Sequence, residues 1–388
     1  MSKLRIIVLG YIVRGPLGGL VWHHLQYVIG LSQLGHDVFF LEDSDDYPSC
    51  YDPSRNVIDV DPTYGLRFAK ATFEHYGFGE RWAYYDAHTS RWFGPCAGRI
   101  VEICADADLL LNLSGINPMR PWLEPVPARA FVDTDPVFTQ VRHLKDPVAL
   151  VAAADHTAFF TFGELFGRGS TIPDDGFPWQ PTRQPVVLDL WPVTQGPATG
   201  AYTTVMQWDS YAVCEHEGVR YGMKSTSFQP YLELPHRTTG ARFELALGGH
   251  TAPHAQLNTY GWTVRNSLEP TRDPWTYQRY LQDSRAEFSV AKEGYVATRS
   301  GWFSERSVGY LASGRPVLLQ DTGFSDWMTC GLGVVPFATP EEALEGIAII
   351  EASYEAHCIA ARELAAAYFA SGRVLETLIA QTLDGDSK

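Results

Sequence analysis

The residues best suited to chemistry lie in two runs, Arg299-Ser300-Gly301-Trp302-Phe303-Ser304-Glu305-Arg306-Ser307 and Leu311-Ala312-Ser313-Gly314-Arg315-Pro316-Val317-Leu318-Leu319. They read as a small-residue loop, a helix opening on hydroxyls, and a Ser-Gly-Arg-Pro turn into an apolar strand. The first N–H groups of a helix lack partners within it and sit at the positive end of its dipole, so a diphosphate can bind there without a metal. Ser300 or Ser304 could cap this helix and donate to a phosphate oxygen. Lys292 is a possible second cation nearby, although such a lysine is more often simply solvated. Asp321-Thr322-Gly323 follows the apolar strand, where an acid can reach a ligand; the same tripeptide also makes an ordinary turn. Groups able to move a proton are His23, His24, Asp133 and His156, with Asp135 close to Asp133. His24 shares a helical face with Leu20, Val28 and Leu31, the pattern of a half-buried structural histidine.

Elements that could carry these groups follow from the apolar pattern. Residues 4–10 form an unbroken apolar run ending in Gly10, as in a central parallel strand. Gly18-Gly19 then precede a helix over 20–34, and 36–41 reads as the next strand, with Glu42 at its end. Further strands are expected at 108–113, 129–132 and 158–162, with a helix or two among long loops at 47–95. Six prolines between 172 and 200 mark a boundary or hinge. Beyond it a second alternation runs through strands near 202–208, 242–247, 288–289 and 316–320, helices near 227–232 and 274–283, and a helical segment over 340–380. These patterns predict two successive α/β units facing across a cleft. Their boundaries are a first unit at 1–180, a hinge at 181–200, a second unit at 201–362 and a C-terminal helix and tail at 363–388.

With 388 residues, 45% of them apolar, the chain can bury two cores. The formal charge of -15 argues against a nucleic-acid backbone or an anionic membrane as main partner. Six scattered cysteines without metal-ligand spacing suggest reduced thiols in the cytoplasm. No apolar run is long enough to span a bilayer, and no signal peptide is expected.

At this point the chain resembles glycosyltransferases of the GT-B fold. Ser300-Gly301-Trp302-Phe303-Ser304 is similar to the H-C-G-W-N-S segment of inverting members, and Leu311-Ala312-Ser313-Gly314-Arg315-Pro316-Val317 to the M-A-S-G-x-P-V segment of retaining ones. The order of elements matches over nearly the whole chain, the motifs only over about 290–325. The two glutamates of the retaining pattern fall on Gly301 and Gly309 and are missing; Glu305, one turn before Gly309, is the substitute for the ribose hydroxyls. In the inverting pattern the opening His is Arg299, whose fork of donors also suits a diphosphate. The resemblance implies donor contacts from Gly18, Gly19, Lys292, Arg299, Ser300, Gly301, Trp302, Ser304, Glu305, Asp321, Thr322 and Gly323, and a base near the start of the first helix. Asp133-x-Asp135 spells the metal motif of the other glycosyltransferase fold, but an Asp-Pro turn accounts for it, and neither metal nor cofactor is expected. The implied reaction moves a hexose-like sugar from a nucleotide diphosphate-sugar to a hydroxyl of a small or medium acceptor. Two alternatives stay open. Glu42 is placed like the ribose acid of an NAD-dependent oxidoreductase, although the G-x-G-x-x-G spacing fails. The missing glutamates also allow an inactive GT-B binding or activating subunit.

Overall fold

The structure is a computed structural model and describes residues 2–385. The first sheet contains β1 (Arg5–Leu9), β2 (Asp37–Asp43), β3 (Trp82–Asp86), β4 (Arg91–Phe93), β5 (Leu109–Leu113), β6 (Ala128–Asp133), β7 (Ala158–Thr161) and β8 (Gln180–Pro181). Their order is β8-β7-β6-β5-β1-β2-β3-β4, parallel except for the β3–β4 pair. Alternation along each central strand feeds two cores. Ile6, Val8, Val38, Phe40 and Leu111 face one side, while Ile7, Leu9, Phe39, Leu41 and Leu110 face the other.

The second sheet contains β9 (Tyr202–Gln207), β10 (Phe243–Gly248), β11 (Thr263–Asn266), β12 (Ala286–Ser289), β13 (Val317–Gln320) and β14 (Val334–Phe337). All are parallel, in the order β11-β10-β9-β12-β13-β14. In both sheets the order reverses beside the first strand, between β1 and β5 and between β9 and β12. Crossovers leave a crevice at such a point, at the C-terminal ends of the strands.

Seven of the helices position the site or join the units: α1 (Gly18–Gln33), α2 (Phe138–Lys145), α3 (Pro274–Gln282), α4 (Glu305–Ala312), α5 (Pro340–Ala352), α6 (Tyr354–Phe369) and α7 (Ser371–Gly385). The single helical stretch expected over 340–380 is three helices, because Ser353 (φ -143°, ψ 42°) and Ala370 (φ -52°, ψ 124°) leave helical geometry. At the second break the chain returns to the first unit. The Ser371 N–H donates to Val186 O at 2.9 Å, and a methyl on Gly30 of α1 would lie 2.6 Å from Leu375 of α7. Residues 47–95 hold a small hairpin (Cys50–Asp52 with Val57–Asp59), a helix (Thr63–His75), β3 and β4. The helix expected at 227–232 begins earlier, at Lys224–Phe228, and tightens into a 3₁₀ turn at Gln229–Tyr231.

The Pro-rich connection is pinned along its length. Val186, Val187 and Trp191 are buried, and the Arg362 guanidinium donates to the carbonyls of Trp191 (2.8 Å) and Ala312 (2.5 Å). One apolar cluster runs from Trp22 of α1 through Trp191 and Tyr277 to Val308 of α4, joining the two units.

Candidate functional site

The two switch points face each other, and the groups between them build the site. On the second unit, α4 begins at Glu305 with Ser304 as its cap, the hydroxyl accepting from the Arg306 N–H at 3.2 Å. Arg306 bridges the crevice between β9 and β12. It donates to Glu287 (2.6 Å), Ser289 Oγ (2.7 Å) and the Val205 carbonyl (2.9 Å). Because Glu287 is wholly buried, Arg306 is neutralised within the unit. Lys224 is different. It lies half-buried at the first residue of its short helix, and among the described residues its ammonium makes no hydrogen bond or ion pair. Burial, then the charges of Arg306 and Lys292, push its pKa down to about 7. An unpaired cation destabilised in this way is a ready anion site. Sequence reasoning missed it, since nothing in Gly222-Met223-Lys224-Ser225 marks that lysine as lying within the field of Arg306 and Lys292.

Lys292 reaches across to the first unit. Its ammonium donates to both carboxylate oxygens of Asp135 (2.8 and 2.9 Å) and to Tyr211 Oη (2.6 Å). The hydroxyls of Tyr211 and Tyr295 donate to the same carboxylate. Asp135, two residues past the end of β6, is thus held in a clamp made by three side chains of the second unit. Asp133 faces the other way. Its oxygens accept from Thr139 Oγ1, Thr161 Oγ1, Gln140 Nε2 and the Asp135 N–H at 2.7–3.1 Å, so it braces the start of α2. The two acids therefore do not converge as a metal pair.

The histidines divide sharply. His24 is fully buried. Its Nδ1 lies 2.7 Å from the Leu20 carbonyl and its Nε2 accepts from the Tyr11 N–H at 3.2 Å, which uses both nitrogens. His156 is likewise engaged, by the Ala153 carbonyl (3.0 Å) and Asn112 (3.1 Å), and burial lowers its pKa to about 4. His23, 8% exposed, keeps a buried Nε2 without a partner among the described residues. It lines a narrow gap between the units with Tyr277, Arg306 and Glu305. Burial lowers its pKa and the Glu305 carboxylate opposes this. Glu305 itself is exposed and its charge is felt at Tyr11, His23 and Lys224, toward the middle of the interface.

The remaining motif residues mostly hold the loop together. Ser300 Oγ accepts from the Trp302 N–H (3.2 Å), the Gly301 N–H donates to the Thr322 carbonyl (2.8 Å), and Thr322 Oγ1 donates to the Trp302 carbonyl (2.5 Å). Trp302 packs on Tyr295 at 4.5 Å. Asp321 accepts from the Gly323 N–H (2.8 Å) and Ser325 Oγ (2.5 Å), forming a turn. Arg299 is exposed and pairs with Asp326 at 2.7 Å. Glycines serve close approach. A methyl on Gly18 would lie 2.4 Å from the Asp273 carbonyl oxygen, one on Gly301 2.8 Å from Leu165, and one on Gly309 3.0 Å from Leu281 and 3.2 Å from Trp191. Gly19 faces the Tyr277 ring at 3.2 Å. The places of the two missing glutamates are thus filled by packing, at Gly301 against Leu165 of the first unit and at Gly309 against Leu281 of α3 and Trp191 of the connection.

Glu42 does not wait for a ribose. Its carboxylate accepts from the N–H groups of Ile12, Val13 and Arg14, each at 2.7 Å, and lies 3.7 Å from Arg14 Nε. The loop after β1 is wrapped around this acid, so its oxygens are already engaged within the chain.

On the first unit a cavity of about 500 Å³ opens beyond the ends of β1, β5 and β6, between Tyr11, Ser114, Thr134, Asp135, α2 and Tyr211. Among the described residues no three His, Cys, Asp or Glu side chains converge as a metal site, and no helix is long and apolar enough to cross a membrane.

No family model matches the chain, and no curated protein matches it in sequence. Solved structures do match in shape. An α-glucosyltransferase in complex with UDP-glucose and abasic-site DNA aligns over 98% of this chain and 100% of its own, at 11% identity and TM-score 0.59. HepE from Anabaena, in complex with UDP and glucose, aligns over 98% and 100%, at 12% identity and TM-score 0.55. AviGT4, a glycosyltransferase of avilamycin A biosynthesis, aligns over 99% and 98%, at 16% identity and TM-score 0.53. The chain has the GT-B fold. One expectation is corrected: overall negative charge does not exclude nucleic acid, because a protein of this fold was solved holding DNA. Net charge sums over the whole surface, whereas binding is decided by the local potential of one groove.

Proposed function

We propose that this protein is a glycosyltransferase that moves a hexose-like sugar from a nucleoside diphosphate-sugar to an acceptor hydroxyl, without a metal at the diphosphate. The observation that carries the reading is Lys224, whose ammonium has no partner among the described residues and feels the charges of Arg306 and Lys292. In this reading Lys224 and the first N–H groups of α4 take the diphosphate and stabilise its charge as it leaves. Glu305 hydrogen-bonds hydroxyls of the transferred sugar. Its position beside His23 favours this over the ribose. His23 is neutral at pH 7 because burial lowers its pKa, and its free Nε2 accepts the acceptor's proton. Asp133, His24 and His156 support the fold around it. The cavity beyond β1, β5 and β6 receives the acceptor, and closure of the units keeps out water that would hydrolyse the donor. The neighbours solved with UDP or UDP-glucose make UDP-hexoses the first donors to try. Six free thiols fit work in a reducing cytosol.

The test is calorimetric titration with UDP, GDP and dTDP in EDTA, followed by release of the diphosphate from the matching sugar nucleotides. The reading requires that one nucleoside diphosphate bind in EDTA and that Lys224→Ala weaken it about tenfold, the loss of about 1.4 kcal/mol. Absence of binding by all three would overturn it. Binding without turnover on any acceptor would identify a nucleotide-binding subunit instead.

A further inference from the structure

The acceptor cavity has a chemical character that a transferase reaction alone does not specify. Its walls are apolar and largely aromatic, from Tyr11, Ile116, Phe138 and Tyr211. At the ends of β5 and β6, Ser114 and Thr134 join their hydroxyls at 2.7 Å and offer a polar contact at the cavity wall. The one carboxylate in the lining, Asp135, is neutralised by Lys292 and two tyrosine hydroxyls.

The last turn of α2 brings two cations to the same cavity, Arg142 and Lys145. Both are exposed. Arg142 has no hydrogen-bond or ion-pair partner among the described residues. Lys145 donates once, to the Glu215 carbonyl at 3.1 Å, and keeps two N–H donors free. The nearest acid in sequence, Asp146, is turned to the Val148 N–H at 2.9 Å as a helix cap. A position at a helix C-terminus accounts for a positive charge. It does not account for two un-neutralised cations lining an apolar cavity in a chain of net charge -15.

Resting on the glycosyltransferase reading, we infer that the acceptor is a small molecule combining a flat apolar ring with an anionic group, carboxylate or phosphate, held by Arg142 and Lys145. The guanidinium takes either anion through two parallel N–H donors, and the aromatic walls take the ring. A cavity of about 500 Å³ suits a ligand of drug-like size.

The test uses 1-naphthyl phosphate, 1-naphthoate and 1-naphthol, titrated into the full-length protein with and without UDP. UDP keeps the phosphate probe out of the Lys224 site. At least one anionic probe should bind about tenfold or more tightly than 1-naphthol, and comparing the two separates phosphate from carboxylate. The double variant Arg142→Ala/Lys145→Ala should erase that preference while leaving UDP affinity within about twofold. Ile116→Trp, which fills the cavity, should weaken all three probes. Equal binding of 1-naphthol, or a preference that survives the double variant, overturns the proposal. So does a short DNA duplex that displaces the probes through the same two cations, since the partner is then a nucleic acid. Failure of UDP, GDP and dTDP alike to bind sinks the donor reading instead, and the probe titrations without nucleotide still report on the cavity.

Discussion

At the scale of single residues, burial decides which titratable groups remain available. Lys224 loses its proton near pH 7 in the folded protein, against 10.5 for an ordinary lysine. Between those values the unfolded chain binds the extra proton, so this residue makes stability rise with pH across that window. Lys224→Met should remove that part of the slope in urea melts between pH 7 and pH 10. The same ammonium is more fully charged at pH 6 than at pH 8. Affinity for UDP-glucose, whose diphosphate charge is constant there, should therefore fall with pH in the parent protein and stay flat in the variant. Glu42 is the opposite kind of group, a buried acid serving three backbone N–H groups and Arg14. Glu42→Ala would strand a buried guanidinium and should lower the unfolding free energy by about 3–5 kcal/mol. From sequence, His24 read as a structural group at least as readily as a catalytic one, and Glu42 was ligand-facing only in the NAD-dependent alternative. Their hydrogen-bond partners, Ile12 to Arg14 and Tyr11, belong to an irregular loop whose path no periodicity reveals.

Among the elements, α1 is the one on which both units depend. It is apolar nearly all round because β1 and β2 cover one side, α7 another and α3 its first turn. Its Trp22 indole N–H donates to the Pro274 carbonyl at 2.7 Å, and Gln26 accepts from the Val187 N–H at 2.7 Å. Gly18 allows the contact with α3, since a methyl there would meet the Asp273 carbonyl oxygen at 2.4 Å. Gly18→Ala should cost about 1–3 kcal/mol, raise amide exchange in the first turns of α1 and α3, and slow turnover. Gly372→Ala, where a methyl meets nothing within 4 Å, is the control: it should not lower stability, being in a helix that favours Ala over Gly, and should leave exchange in α1 and α3 and turnover unchanged. The helix was legible from its apolar run. That its glycines pack against the other unit was not, because such an approach depends on where residues some 250 positions away are folded.

For the whole molecule, the clamp of Asp135 by Lys292, Tyr211 and Tyr295 holds the two switch points together. Asp135→Asn and Lys292→Met should each loosen the closed arrangement, seen as a larger radius of gyration in solution scattering. In a double-mutant cycle on stability the two should couple by about 0.5–3 kcal/mol; strict additivity would mean that the ion pair does not link the units. The alternation of buried apolar runs with helices determined two α/β units in series, because a parallel strand covered on both faces must be apolar throughout and its crossover must be amphipathic or buried. The Ser-Gly-Arg-Pro turn and the capped helix before it were equally visible, since caps and turns are local. Only the tertiary structure decided which charges are spent and which are free. Arg306 and Lys292 are paired with Glu287 and Asp135, Arg299 is drawn to Asp326, and Lys224 has no partner among the described residues, because a charge's partner is set by three-dimensional proximity and not by its neighbours along the chain.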